Sequence, residues 1–438
     1  MLEESTTALA PLRELGSVDQ MRAFAAKGLA PSKRLKCNLH VHLPPNFSAF
    51  TSVEQAVRMA SRQDVGVLGG TNYYDFDVYS DFVAHARAYD IFPIFGLEIL
   101  TYSEELARDG IRVNDPDNPG RRYICGKGIT RWAPMSDTAR RLMGGVRDND
   151  SRRITEMTDR LAKVFAAGGL KTNLDAETII DDVRRRHGCR AEQVALQERH
   201  VAMAFQEAFF EMVPVEQRAG KLAGLLGTDC RAEPEDAVAV QGAIRTHLMK
   251  SGKVAFVPEK FINFEQAVKL ILALDGFVCH PTLLVHDGTE PICEYERPVK
   301  KLIERIKDCN IHSTELVSMR NTPPILAECV RAMRDAGLVV TAGTEHNTLE
   351  MLPIDPTCHA GKPIPDETAE ILWEGTAVVA AHQFLRVHGE CGFTDTDGQP
   401  NPDYKDTEQR IAAFRALGEA VIQRYRQMSQ SKQEPSLS

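Results

Sequence analysis

The sequence has no stretch that approaches the roughly 20 uninterrupted apolar residues of a transmembrane helix, so we expect no membrane partner. Its first residues, Met-Leu-Glu-Glu, are acidic where a secretory signal is basic and then apolar, and we therefore expect a cytoplasmic protein. Positive charge is in deficit, because 52 Lys and Arg residues face 61 Asp and Glu residues, for a net charge of -9. This sign is wrong for binding nucleic acid through its phosphates, so no nucleic-acid partner is predicted.

Paired cysteines and flexible linkers are also missing. The ten cysteines are scattered without any Cys-x-x-Cys spacing, which favours reduced, mostly buried thiols over a disulfide framework or a structural zinc site. No segment rich in Pro, Gly or Ser interrupts residues 35–350, so one elaborated domain is the simpler prediction. With 43% hydrophobic and 26% charged residues, the chain has the composition of a globular protein with a large core.

Short apolar or β-branched runs have the length and composition of strands at 35–42, 65–71, 92–100, 277–280, 312–317 and 338–342. Amphipathic helical patterns lie between them, at 52–62, 78–89, 264–274, 299–309 and 325–336. The alternation predicts an α/β protein with parallel strands. Because crossovers between such strands are right-handed, the units most economically close into a barrel or a barrel-like sheet, with function at the carboxyl ends of the strands.

The rest of the chain divides around this barrel. We predict an N-terminal helical lead-in at 1–34, the two parts of the barrel at 35–135 and 254–350, a helical insertion at 136–253, and a C-terminal helical extension at 351–438. The last residues, from 428, have the polar composition of a disordered tail. The insertion contains balanced charges, so we interpret it as a cover over the cleft or as the face of a homo-oligomer.

Several predicted strands end in residues that can bind a metal. In Asn-Leu-His40-Val-His42 the two histidines are two residues apart, so in a strand they point to the same face, as in many metal sites. Other strand ends carry Glu98, His280 and the pair Glu345 and His346. Since parallel strands share one rim, we expect these side chains to converge. A mixed nitrogen and oxygen set suits zinc, manganese or iron, and a divalent metal ion is the predicted cofactor.

These motifs resemble those of the PHP (polymerase and histidinol phosphatase) superfamily of metal-dependent phosphoesterases. The likeness follows the family's motif order over about residues 35–350, at His40-Val-His42, Gly-Leu-Glu98, Arg199-His200-Val-Ala, His280-Pro and Gly-Thr-Glu345-His346. It implies a distorted barrel of seven β/α units with up to three metals at the strands' carboxyl ends. It also implies metal ligation by His40, His42, Glu98, His200, His280 and His346, with Glu345 as a substitute ligand.

Three motif positions depart from the family pattern. Ser48-Ala-Phe replaces the usual Ser-Asp-Gly, Thr71-Asn-Tyr73 replaces Thr-Asp-His, and Tyr123-Ile-Cys-Gly replaces His-Ile-Leu-Gly. The loss of these ligands favours one or two metals per chain over three. The replacement ligands that the sequence offers near the predicted rim are Asn72, Tyr73, Asp75, Asp77, Glu315 and Glu345.

The resemblance implies hydrolysis of a phosphoester on a small metabolite by a metal-activated water. Glu98 or His346 is then predicted to transfer the leaving-group proton, and Arg320 to neutralise the developing charge. Arg199, Lys127, Arg320 and Tyr73 are the predicted substrate contacts, although residues 121–127 also fit a solvated loop. Two alternatives stay open, namely a mononuclear lyase, isomerase or C–N hydrolase, and a catalytically inactive binding protein.

Overall fold

The computed structural model describes residues 2–27, 34–229, 232–258, 260–284 and 291–431. Its centre is a seven-stranded sheet, made of β1 (Lys36–Val41), β2 (Val65–Tyr73), β3 (Phe92–Tyr102), β4 (Arg121–Lys127), β5 (Phe277–Thr282), β6 (Ser313–Val317) and β7 (Val339–Gly343). The strands neighbour one another in chain order from β1 to β7. Val41 also pairs with Glu345, two residues after β7, so the sheet nearly closes on itself. This confirms the predicted α/β, distorted barrel.

Strand β4 departs from the regular parallel arrangement of the barrel. It runs antiparallel to both β3 and β5, whereas the other neighbouring strands are parallel. Residues 121–127 were not among the predicted strands, and they form a strand rather than the solvated loop that was one of their two interpretations. Three of the seven residues, Arg121, Arg122 and Lys127, are charged and mask the strand pattern, yet all three are buried in the folded protein.

The helices between the strands pack on the outside of the barrel. They are α3 (Val53–Arg62), α4 (Val78–Ala88), α5 (Glu104–Arg108), α11 (Phe264–Ala273), α12 (Val299–Asp308) and α13 (Pro323–Asp335). Helix α3 shows how the sequence sets them. Ser52 caps its first turn by accepting the Gln55 backbone N–H, and Val53, Ala56, Val57 and Ala60 form its buried stripe.

The helical insertion is built from α6 (Asp137–Ala167), α7 (Ala176–His187), α8 (Glu198–Met212), α9 (Val215–Leu226) and α10 (Ala237–Ile244), followed by one wider helical turn over Arg245–Met249. It has an apolar cluster of its own, separate from the barrel's, in which Met157, Leu161, Phe165, Phe205 and Phe209 are fully buried. The insertion therefore packs around its own apolar core beside the barrel.

The terminal helices cover the barrel from outside. They are α1 (Leu2–Arg13), α2 (Val18–Ala26), α14 (Asp366–Val387) and α15 (Thr407–Ser431). The Gln383 side chain on α14 accepts the Phe95 N–H and donates to the Pro93 carbonyl, which ties α14 to β3. Helix α15 continues to Ser431, past the predicted start of the tail, and residues 432–438 lie outside the described residues. Among the described helices, none combines the length and hydropathy needed to cross a bilayer.

Candidate metal centre

Two histidines and a glutamate meet inside the barrel. His40 is the last but one residue of β1, His42 directly follows that strand, and Glu98 lies on β3. The two Nε2 atoms are 3.4 Å apart, and Glu98 Oε2 lies 3.3 Å from His42 Nε2 and 3.9 Å from His40 Nε2. All three side chains are buried. The structure thus brings together three of the residues that the sequence offered as metal ligands.

The spacing of these three donor atoms fits a metal ion. A point equidistant from them lies about 2.1 Å from each, which equals the length of a zinc–nitrogen or zinc–carboxylate bond. Two imidazoles and one carboxylate also form a donor set that first-row divalent metals accept. We therefore treat His40, His42 and Glu98 as the candidate metal centre.

Hydrogen bonding orients the His40 ring for this task. Glu315 Oε1 lies 2.7 Å from His40 Nδ1. A carboxylate can only accept, so Nδ1 carries the proton and the Nε2 lone pair faces His42 and Glu98. The His40 backbone N–H donates to Asn38 Oδ1 at 3.1 Å, which fixes the end of β1.

His42 is held by packing instead. Its ring stacks on Tyr73 with the ring centres 4.8 Å apart. Its Nδ1 has no hydrogen-bond partner within the described part of the chain.

Electrostatics keep Glu98 ionised. Burial raises the pKa of its carboxyl group, but the two histidines and the Tyr73 hydroxyl outweigh this effect, so the pKa is lowered from its ordinary value. Burial and the Glu98 charge raise the pKa of Tyr73 well above 10. Tyr73 therefore remains a neutral phenol that donates to the Glu98 carboxylate.

A second group of ligand types, His40, Cys125 and Glu315, also has donor atoms within 4.8 Å of one another. The Lys127 ammonium already contacts both Glu315 oxygens, at 2.9 and 2.8 Å. Burial raises the pKa of Cys125 well above its ordinary value, so the thiol stays protonated. This group is an ion-pair network, and the residues that the structure describes offer one usable metal centre.

A cleft of about 320 Å³ opens above the centre, between the barrel rim and the helical insertion. Glu98 lines its floor, and Tyr73, Tyr123 and Glu345 line the barrel side. The insertion contributes Arg153 from α6, Glu198 and Arg199 from α8, and Arg245 and Lys250 from the turn after α10.

Most cations in the cleft are neutralised by a neighbouring acid. Arg153 pairs with Glu198 and lies 3.8 Å from Asp150. Arg245 lies 3.7 Å from Glu198, Lys250 lies 3.5 Å from Asp117, and Arg121 lies 3.6 Å from Asp115.

Arg199 and Arg320 differ from the other cations in the cleft. Neither guanidinium forms a hydrogen bond or a close ion pair with any residue that the structure describes. The nearest acidic influences are Glu345 on Arg199 and Glu296 on Arg320, both at longer range. Burial, with a smaller effect from Arg245, lowers the pKa of Arg199 to about 10, so it remains a cation at neutral pH. Two positive charges are therefore left for an anionic ligand.

His280 was predicted as a ligand, but the structure does not bring it to the centre. Its neighbours on β5 point into the barrel, because Cys279 lies near Lys127 and Glu315, and Pro281 lines the cleft. Side chains alternate along a strand, so His280 points outward, towards Arg122 and the Tyr295 ring. The residue type was right for a ligand, but its register puts it on the opposite face of the sheet.

His346 and His200 also lie apart from the three donors. His346 Nδ1 pairs with Thr344 Oγ1 at 2.7 Å, and its Nε2 donates to the Leu352 carbonyl at 3.0 Å, so both nitrogens are engaged. His200 Nδ1 accepts the Gln197 N–H on α8, and its ring packs against Phe47. Burial lowers the pKa of His200 to about 3, which keeps it neutral.

The remaining predicted residues take several roles. Lys127 was predicted to bind substrate, but it is fully buried inside the barrel. Arg199, Arg320, Tyr73 and Glu345 do line the cleft, and Glu345 accepts a hydrogen bond from Asn347 at 3.3 Å.

The other replacement ligands do not join the centre. Asn72 is engaged by the Leu43 backbone, and Asp77 pairs with Arg190. Asp75 accepts the Asp77 N–H through Oδ1 and belongs to neither group of clustered ligand atoms among the described residues.

Two features of the site were not predicted from the sequence. The first is the hydrogen bond of Glu315 to His40, and the second is the row of charged residues with which the insertion lines the cleft. The first joins strands distant in the sequence, and no local pattern marks it. The available signal for the second was the clustered charge of Asp150, Arg152 and Arg153 and of Glu198 and Arg199, but this pattern is equally typical of solvated helix faces.

Comparison of the sequence with family models and with curated proteins finds no match. Among solved structures, the chain is similar to an amidohydrolase from Chromobacterium violaceum with bound sulfate and no metal, at 15% identity and a TM-score of 0.47, covering 77% of this chain and 96% of that one. It is also similar to a protein from Bifidobacterium adolescentis described as a metal-dependent phosphoesterase, at 14% identity and a TM-score of 0.47, covering 78% and 96%. Similarities this low do not indicate a function for this protein.

Proposed function

We propose that this protein is a metal-dependent hydrolase that cleaves a phosphoester of a small metabolite. The observation that carries the proposal is the meeting of three candidate metal-binding atoms, one of them on Glu98, which lines the cleft. The walls of this cleft hold Arg199 and Arg320, which have no ion-pair partner among the described residues. A buried divalent metal and free guanidinium groups are the groups that phosphoryl transfer needs.

The residues of the chain divide the work as follows. His40, His42 and Glu98 would hold a divalent ion, which when bound supplies Lewis acidity and lowers the pKa of a water molecule. Arg199 and Arg320 bind the phosphate oxygens and stabilise the charge that develops on them. Glu345 lies in the same cleft and takes the proton-transfer role that the sequence suggested for His346, whose nitrogens are both engaged.

The size of the cleft and the insertion support a small substrate. A volume of about 320 Å³ falls at the lower end of ligand pockets, which suits a metabolite and excludes a folded macromolecule. The insertion forms one wall of the cleft, and the displacement of water by this wall would strengthen the electrostatic contacts of Arg199 and Arg320 with a bound substrate.

The test is turnover of a panel of phosphomonoesters and phosphodiesters by the purified protein. We expect turnover with bound Zn²⁺, Mn²⁺ or Fe²⁺, loss of it after chelation, and recovery when the same metal is restored. Turnover that survives complete removal of metal contradicts the proposal, as does a metal-loaded protein that cleaves no phosphoester.

One observation favours a second candidate, a mononuclear C–N hydrolase, lyase or isomerase. The described residues offer one usable metal centre rather than a bridged pair, and a single ion can equally polarise a carbonyl group. Amide, lactone and sugar substrates belong in the same panel. Metal-dependent turnover of these compounds, with no phosphoester cleaved, would select this alternative.

A further inference from the structure

A buried ion pair lies inside the barrel directly behind His40. Lys127 of β4 and Glu315 of β6 are fully buried, and the Lys127 Nζ lies 2.9 and 2.8 Å from the two carboxylate oxygens. Neither residue lines the cleft. Removing two charges from water is costly, and such a pair often contributes less to stability than apolar residues of the same volume. Stability alone therefore does not explain its presence.

The hydrogen bonds of the Lys127 ammonium are complete. It donates to the Leu39 carbonyl at 2.8 Å, to Thr71 Oγ1 at 3.3 Å and to Glu315 Oε1. Thr71 in turn donates to the Leu39 carbonyl at 3.1 Å. The ammonium thus joins β1, β2, β4 and β6 and has no proton left for a substrate.

The bonds of Glu315 lead to the metal centre. Besides Lys127, its partner is His40 Nδ1, at 2.7 Å. The opposite nitrogen of the same ring, Nε2, is one of the three donor atoms of the metal centre. The chain Lys127, Glu315, His40 therefore ends at the position of the ion.

We propose that Lys127 and Glu315 are positioning residues for the metal centre. Lys127 compensates the charge of Glu315, and Glu315 holds the proton of His40 on Nδ1, so that the Nε2 lone pair points at His42 and Glu98. A carboxylate behind a metal-binding histidine fixes the ring and increases its basicity towards the ion. The inference rests on the proposed metal centre, but not on the identity of the reaction.

Three variants test this role: Glu315→Gln, Lys127→Met and the double variant. The readouts are the affinity for Zn²⁺, by competition with a chromophoric chelator, the visible spectrum of the Co²⁺-loaded protein, and the melting temperature. Glu315→Gln is expected to weaken metal affinity about 10–100-fold. The double variant has no buried charge left uncompensated, so its melting temperature is expected to return from that of the single variants towards the wild-type value. Its affinity for Zn²⁺ is expected to stay at least about tenfold weaker than that of the wild type.

The double variant keeps the test valid if a single variant does not fold. Asp75→Asn is the matched control, because Asp75 is a buried carboxylate that contacts none of the three donor residues. It should leave the affinity for Zn²⁺ and the Co²⁺ spectrum unchanged. A folded double variant with wild-type affinity and spectrum overturns the positioning role and leaves the metal centre standing. A wild-type protein that binds neither ion overturns both.

Discussion

At the level of single residues, a histidine can bind the proposed metal only if it faces the interior of the barrel. His42 and His280 are both fully buried, and both were predicted as ligands. Their residue types and strand-end positions are the same, so the sequence could not separate them. The structure does, because Cys279 and Pro281 face inward and leave His280 on the outer face.

The first prediction compares these two histidines. His42→Ala removes one of the three candidate metal donors. Because two donors rarely retain a divalent ion, binding should weaken about 100-fold, and the metal left after dialysis should fall below about 0.1 ion per chain. His280→Ala should keep the wild-type metal content, although the cavity it leaves lowers the melting temperature. Elemental analysis of both variants measures this. Equal loss of metal from both would contradict the assigned register.

The second prediction concerns Asp75 and pH. Burial raises the pKa of this carboxyl group to about 7, and its Oδ2 has no hydrogen-bond partner among the described residues. A raised pKa in the folded state means that wild-type stability falls as pH rises from about 4 to 7 and then stays level. Asp75→Asn removes the penalty and keeps the acceptor for the Asp77 N–H.

The gain from Asp75→Asn should therefore be larger at pH 8 than at pH 5, by about 2 kcal/mol. Urea unfolding at the two values measures it. A gain that is the same at both, or larger at pH 5, would show that the carboxyl group titrates normally in the folded protein.

At the element scale, apolar runs predicted six of the seven strands, since a buried parallel strand is marked by its own residues. Strand β4 was not predicted, because its charged side chains are paired with groups that lie far away in the sequence. Lys127, for example, pairs with Glu315, which lies 188 residues later. Close approaches between elements were equally hidden. Gly418 of α15 packs directly on the Ala377 carbonyl of α14, where any side chain would overlap backbone.

The third prediction tests this helix contact. Gly418→Ala is expected to lower the free energy of unfolding by at least about 2 kcal/mol, because a Cβ at this position forces two helix backbones apart. Gly144→Ala is the matched control, since Gly144 lies within α6 and a Cβ there meets no neighbour. It should stabilise the protein by about 1 kcal/mol through helix propensity. Urea unfolding measures both, and similar effects would contradict the packing of α14 on α15.

At the scale of the whole molecule, the cleft lies between the barrel and the helical insertion. The barrel supplies the candidate metal donors and Arg320, and the insertion, with its own apolar core, supplies Arg199 and the rest of the charged wall. The sequence offered a cover over the cleft as one of two roles for the insertion, the other being an oligomer face, and it supplied both arginines as candidates. It could not show which cations are neutralised, because pairs such as Arg245 with Glu198 form only when α8 and the turn after α10 meet.

The fourth prediction uses this difference between free and paired cations. Arg199→Met and Arg320→Met should each lower kcat/KM for an anionic substrate by roughly 10–100-fold, the value of one charge-assisted hydrogen bond, without changing metal content. Arg140→Met, on an exposed turn of α6, is the control and should change neither. Steady-state kinetics with elemental analysis measures this. Unchanged kinetics in both cleft variants would remove these arginines from substrate binding.

Anomalous X-ray diffraction at the absorption edge of the bound metal shows whether His40, His42 and Glu98 hold one divalent ion. We expect one strong peak per chain, within about 2.2 Å of His40 Nε2, His42 Nε2 and Glu98 Oε2. A metal-soaked crystal with no peak there, or with its peak beside His280 or His346, would contradict this metal centre.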